Sequence, residues 1–160
     1  MGRGPESRSM NIFQALIVSH QTQRELCAQV LAAKQASDES LRLFEELKKE
    51  LAAHETAEER FFYVPLFEHD STVDASRHAI AEHHEMDEMV EDIDKLDPHA
   101  AEWMEGLQKL CHKVEHHLKE EEDKFFPQAG EVLTEEQKET LAGEYQQEHA
   151  ALRAREVEAG

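Results

Sequence analysis

Two segments of the chain, HETAEERFFYVP from His54 to Pro65 and HHLKEEEDKFFP from His116 to Pro127, put histidine and glutamate four residues apart where a helix should be apolar. Side chains at i and i+4 project about 40° apart and roughly 6 Å along the axis, so both reach one buried site. The phase of the surrounding apolar residues decides which pairs point inward. His54 follows Leu51 by three residues, Leu47 by seven and Phe44 by ten; Glu58 shares that face, and Phe61 and Phe62 continue it. His117 follows Val114 by three, Leu110 by seven and Leu107 by ten, whereas His116 lines up with Lys109, His112, Lys113 and Lys119. The inward pair is therefore His117 and Glu121, and His116 and Glu120 fall on the solvated face.

The same test extracts one histidine from each of two further segments. His83 is in register with Ile80, Met86, Val90 and Ile93, while its neighbour His84 aligns with Arg77, Glu88 and Glu91. His20 follows Ile17 by three, Leu16 by four and Phe13 by seven, and precedes Cys27 by seven. A single inward histidine reads as a hydrogen-bonded core residue. Four of them with two inward glutamates require more, because a buried carboxylate without positive charge costs several kcal/mol. No Lys or Arg falls on the inner stripe near them. Bound cations supply the missing charge: imidazole with carboxylate suits iron, zinc or manganese, and carboxylates can bridge two ions. Glu55 and Glu59 are expected to face solvent.

The apolar periodicity predicts four long helices. The first runs from about Asn11 through Ile12, Phe13, Leu16, Ile17, Cys27, Val30 and Leu31. The second is capped by Ser37 or Asp38, carries Leu41, Phe44, Leu47 and Leu51, and stops at Pro65. The third opens at Ser71, with Asp74 at capping-box spacing. Asp97 caps the fourth, with Pro98 in its first turn, and Pro127 ends it. Thr134 with Gln137 announces a short fifth helix, with Leu141, Tyr145 and Leu152 on its apolar side. Such elements pack as an antiparallel up-down four-helix bundle, all-α, with the short fifth helix against its outside or one end.

With 36 acidic against 17 basic residues and a formal charge of -19, nucleic acid and anionic membranes are poor partners. No apolar run approaches the roughly 20 residues of a membrane span. Cys27 and Cys111 have neither metal-site nor disulfide-framework spacing and read as buried free thiols, so a cytoplasmic location is expected. The polar stretch of residues 1–9 reads as a disordered tail or an expression remnant, and residues 10–155 as a single domain, monomeric or a homodimer.

These segments resemble the hemerythrin-like, HHE cation-binding family. The chain from Asn11 to about Leu152 is similar to it: LIVSH to its first-helix motif, HETAEERFFYVP and HHLKEEEDKFFP to its two H-x-x-x-E...P motifs, EHHEM to its third-helix histidine and LTEEQKETL to its closing helix. The resemblance implies an up-down bundle around two non-haem Fe ions, oxo- or hydroxo-bridged, that meet O2, NO or H2O2. Carried onto this chain, the ligands are His20, His54, Glu58, His83, His117 and Glu121, with Glu58 and Glu121 as bridges. Tyr63, near the end of the second motif, reads as a packed aromatic, with a phenolate ligand as the minor alternative. Two features depart from oxygen-carrying hemerythrins. Ala79 and Asp87 stand four residues either side of His83, where a fifth histidine is needed, and Glu122 rather than Asp stands five after His117. The resemblance therefore points toward oxidant chemistry, including peroxide decomposition, or sensing, rather than O2 transport; iron storage, donation or iron sensing is the alternative.

Overall fold

Asn11 opens the first helix with a complete capping box: its side chain accepts from the Gln14 backbone N–H, and the Gln14 side chain accepts in return from that of Asn11. The computed structural model describes residues 10–159, so the expected tail at 1–9 lies outside the described residues. The helices are α1 (Ile12–Ala32), α2 (Asp38–Glu58), α3 (Val64–Leu66), α4 (Asp70–Asp94), α5 (Ala101–Glu120), α6 (Phe126–Val132) and α7 (Glu135–Ala159). Ser37 caps α2 by accepting from the Ser40 N–H, and Thr134 and Gln137 form the expected box before α7.

Two expected starts differ. Helix α4 begins at Asp70 after His69, with no side-chain cap, and Thr72 instead donates to the Leu66 carbonyl. Asp97 and Pro98 form a turn ahead of α5, whose N-cap is Ala100; Gln35 donates to the Pro98 and Ala100 carbonyls and so ties this turn to the end of α1.

The two prolines do not end their helices. Between α2 and α3 the chain makes a π-turn over Glu59–Tyr63, and between α5 and α6 another over Glu121–Phe125, so each helix runs on past its proline. The Val64 N–H reaches back to the Glu59 carbonyl and the Phe126 N–H to that of Glu121, five residues each. In both cases proline is the second residue after the π-turn, where the widened turn accommodates its missing N–H. The eleven-residue spacing of His54 to Pro65, against ten for His117 to Pro127, reflects a π-turn that begins one residue later relative to its histidine.

Each π-turn slips the inward face by one residue. Uninterrupted α-helix would carry the stripe from Glu58 to Phe61 and Phe62; Phe62, Tyr63 and Leu66 are the buried ones, and Phe61 is only partly covered. After Glu121 the buried residues are likewise Phe125, Phe126 and Ala129.

The apolar core is divided into two layers. One contains Leu16, Phe62, Tyr63, Ala79, Phe125 and Phe126; the other contains Cys27, Leu47, Leu51, Met86, Val114 and Trp103. Helix α1 runs from the first layer to the second, α2 back, α4 forward and α5 back, which is the up-down alternation of an antiparallel bundle. Cys27 and Cys111 are free, buried and members of the same layer. Ile17, Leu31 and Leu41, assigned inward by spacing, are among the more exposed apolar residues, because the inner stripe of α1 follows Ile12, Leu16, Ser19, His20, Gln23, Cys27 and Val30, and that of α2 follows Ser40, Leu43, Phe44, Leu47 and Leu51.

The fifth helix is longer than expected, 25 residues, and packs along α1 and α2 rather than at one end. Leu141, Ala142 and Tyr145 are buried there. Polar pairs extend the contact, His149 to Glu50 at 2.9 Å and Arg153 to Glu46 at 2.7 Å, which is why its few apolar residues understate its length. No helix among the described residues is long and apolar enough to cross a membrane.

Since the layers flank the polar centre without forming it, Leu107→Ala, deep in the second layer, is expected to cost about 2–5 kcal/mol in urea unfolding. Its bound-cation stoichiometry, measured by metal analysis, should match that of the parent chain.

Candidate metal centre

Between the two apolar layers α1, α2, α4 and α5 each carry polar side chains. His20 follows Leu16 on α1, His54 and Glu58 lie between Leu51 and Phe62, His83 lies between Ala79 and Met86, and His117 and Glu121 lie between Val114 and Phe125. All six are buried, none more than 2 % exposed. Their neighbours His116 and His84 are exposed.

The structure brings the six together in two overlapping sets. His20, His54, Glu58 and Glu121 each offer one atom within 4.8 Å of the others, and so do Glu58, His83, His117 and Glu121. Both sets use the same two glutamates. Glu58 Oε1 lies 3.4 Å from His54 Nε2 and 3.1 Å from His83 Nε2. Glu121 places Oε1 3.0 Å from His20 Nε2 and Oε2 3.4 Å from His117 Nε2.

These approaches are not aligned as hydrogen bonds. All four Nε2 atoms, both oxygens of Glu58 and Oε1 of Glu121 are buried without a hydrogen-bond partner. Buried polar atoms are ordinarily satisfied, so seven orphans facing one another form a cradle for something electropositive. The residues present fit a bound cation: the imidazole nitrogens and carboxylate oxygens of each set would hold it.

The outward ring nitrogens are all engaged. His20 Nδ1 meets Glu122 at 2.7 Å, His83 Nδ1 meets Glu59 at 2.8 Å, His117 Nδ1 meets Glu82 at 2.7 Å, and His54 Nδ1 meets the Tyr145 hydroxyl at 2.6 Å. With Nδ1 carrying the proton and donating it outward, Nε2 presents its lone pair to the centre. The two glutamate doublets divide the work: Glu58 and Glu121 turn inward, while Glu59 and Glu122, one residue on, lock histidines of neighbouring helices. Glu122 is thus an orienting group outside the centre.

Sequence periodicity misplaced two residues here. Glu59 is half-buried on His83, and Glu55 is buried, with burial holding its carboxyl well above the usual carboxylate range. It placed Tyr145 on the apolar side of the fifth helix without its contact to His54, and missed Ser19 and Glu82 altogether; the doublets Glu58–Glu59 and Glu121–Glu122 were the available signal for the orienting glutamates. Tyr63 is fully buried, and its hydroxyl donates to Glu121 Oε2. A third acidic set, His78, Glu82 and Glu120, lies at the rim, where Lys113 already approaches Glu82 at 3.4 Å.

Charge in the centre is balanced by protons when no cation is there. Burial opposes a charge on His20, but Glu121 and Glu122 outweigh it and push its pKa up to about 9. Burial likewise opposes a charge on His117, which Glu121 and Glu82 carry up to about 9. Glu121 is pulled well below the ordinary range, against the effect of burial, by His117 and His20. A cation must displace such protons.

An all-helical bundle enclosing paired imidazole and carboxylate groups defines a cation-binding helical protein. Residues 11–129 match the family described as Hemerythrin HHE cation binding domain, and the chain belongs to that family. Its fold is also similar to that of a hemerythrin HHE cation binding domain-containing protein from Mycobacterium kansasii, with a TM-score of 0.82, 22% identity, and coverage of 92% of this chain and 90% of that one. No curated protein matches the chain.

Cation uptake is expected to acidify weakly buffered solution and to strengthen as pH rises toward about 9. The metal-free fold should show the opposite trend. With His20 raised from 6.5 to about 9, the stabilisation from its proton is complete below pH 6.5 and lost as pH climbs through about 9. Thermal unfolding of metal-free and cation-loaded chain across that window checks this: only the former should lose stability.

Proposed function

We propose that the chain holds a non-haem two-iron centre on His20, His54, Glu58, His83, His117 and Glu121, and uses it to bind or react with a small oxidant: O2, NO or hydrogen peroxide. The observation that carries this reading is the sharing of Glu58 and Glu121 by both four-residue sets. Two independent cation sites would not need common carboxylates; a coupled pair does.

Iron bound there supplies a redox change and, with fewer protein donors than an octahedral ion accepts, positions for a small molecule. The protein groups do the rest. Glu58 and Glu121 hold the two positions together, the four outward hydrogen bonds fix the imidazole planes, and Phe62 and Phe126 wall the centre on its apolar side. With all six donors at most 2 % exposed, burial selects molecules of a few atoms. The absence of a fifth inward histidine leaves the two positions with equal numbers of imidazoles, which favours chemistry or sensing over reversible O2 transport. Bulk iron storage is the weaker reading, since the centre is closed above and below by packed side chains. Zinc or manganese satisfies the same donors and is separated from iron by analysis.

Protein produced in iron-supplied cells is expected to carry two irons per chain and a near-ultraviolet absorption band; colourless protein without stoichiometric metal would sink the proposal. Adding hydrogen peroxide distinguishes turnover, seen as rapid O2 evolution, from bleaching with iron loss, which indicates storage or sensing. Glu121→Ala should deplete iron, whereas Glu120→Ala, one residue away on the rim, should retain it.

A further inference from the structure

The four outward hydrogen bonds are not equivalent, and their differences sort by cation position. The position formed by His83 and His117 is backed by two carboxylates, Glu59 and Glu82. Among the described residues no Lys or Arg pairs with Glu59. Lys113 approaches Glu82 only at 3.4 Å and lies closer to Glu85, at 2.8 Å.

The position formed by His20 and His54 is backed differently. Glu122, behind His20, is held on both oxygens by Arg24, each at 3.0 Å, so its charge is largely answered outside the centre. Behind His54 there is no carboxylate. The partner is the Tyr145 hydroxyl of α7, 2.6 Å from Nδ1 and 2.6 Å from Ser19 Oγ, with Tyr145 2 % exposed. With the His54 proton on Nδ1, the phenol oxygen accepts from His54 and has its own proton to give to Ser19.

A carboxylate accepting from Nδ1–H makes an imidazole a stronger donor at Nε2; a neutral phenol does so less. We infer that the two cation positions are unequal, the His83–His117 position binding more tightly and the His20–His54 position more Lewis acidic, and that Tyr145 is the positioning residue that keeps it so. This rests on the two-cation reading and deepens it, by naming the half of the centre that meets an incoming ligand. It also gives the fifth helix a role at the centre, although α7 lies beyond the family match at residues 11–129.

The test is titration of metal-free chain with Co(II), followed by calorimetry and by the visible bands of the bound ion. The parent chain is expected to take up two ions in separable events. Tyr145→Phe preserves the buried ring and removes only the hydroxyl. It should weaken the second, looser event by about 10–100-fold, shift the bands that grow in with it, and leave the first event within about threefold. Glu82→Gln should do the converse, weakening the first event by about tenfold. If Tyr145→Phe only lowers the melting temperature of the metal-free chain, with both events weakened equally or neither changed, the positioning role is wrong. A parent chain that binds fewer than two ions overturns the two-cation reading, and this inference with it.

Discussion

Two carboxylates at the centre of a helical bundle are the constraint on which the rest of the structure depends. Glu58 and Glu121 are fully buried, and among the described residues no Lys or Arg pairs with either. A buried charge of this kind is tolerated only with positive charge and good geometry. Imidazoles provide both: His20 and His117, whose pKa values the neighbouring carboxylates push up to about 9 against the effect of burial, carry protons that a cation must displace. The division of the apolar core into two layers follows, because a polar section through α1, α2, α4 and α5 leaves aliphatic and aromatic packing only above and below it.

Backbone distortion places the donors as much as side-chain identity does. Both π-turns adjoin an inward glutamate, Glu58 before one and Glu121 at the start of the other. By adding a residue to the turn they rotate the following chain, so that Tyr63 rather than Phe61 faces inward and donates to Glu121. The same slip lets Pro65 and Pro127 stay inside continuous helices. Such insertions are rare in helices and concentrate at functional sites, and here the paired occurrence mirrors the paired H-x-x-x-E motifs.

The hydrogen bonds outside the centre link it to the remainder of the fold. Glu59 and Glu122 reach across helix interfaces, so each motif orients a histidine belonging to another helix. Arg24 holds Glu122 on two oxygens and also reaches Glu115, coupling α1 to α5. On the opposite flank α7 closes the bundle over α1 and α2, and Tyr145 joins Ser19 to His54. The centre is therefore held by five helical elements although its inward donors come from four.

Periodicity within the chain was enough to establish an all-α bundle, to separate His117 from His116 and His83 from His84 as the inward members, and to require a cation. Each of those conclusions concerns which side of its own helix a residue occupies, and the spacing of Leu107, Leu110 and Val114 reports that directly. What lies across an interface is not written in local spacing. The partners of the four Nδ1 atoms, the burial of Glu55 and the length of α7 were decided only when the helices packed. Proline misled for a related reason: Pro65 and Pro127 break an α-helix of regular pitch, and only the tertiary fold widens each turn so that the helix continues. The sequence by itself determined that four helices bury histidine and glutamate together; the tertiary structure decided which neighbours hold those side chains, because that depends on contacts between residues as far apart as Ser19 and Tyr145.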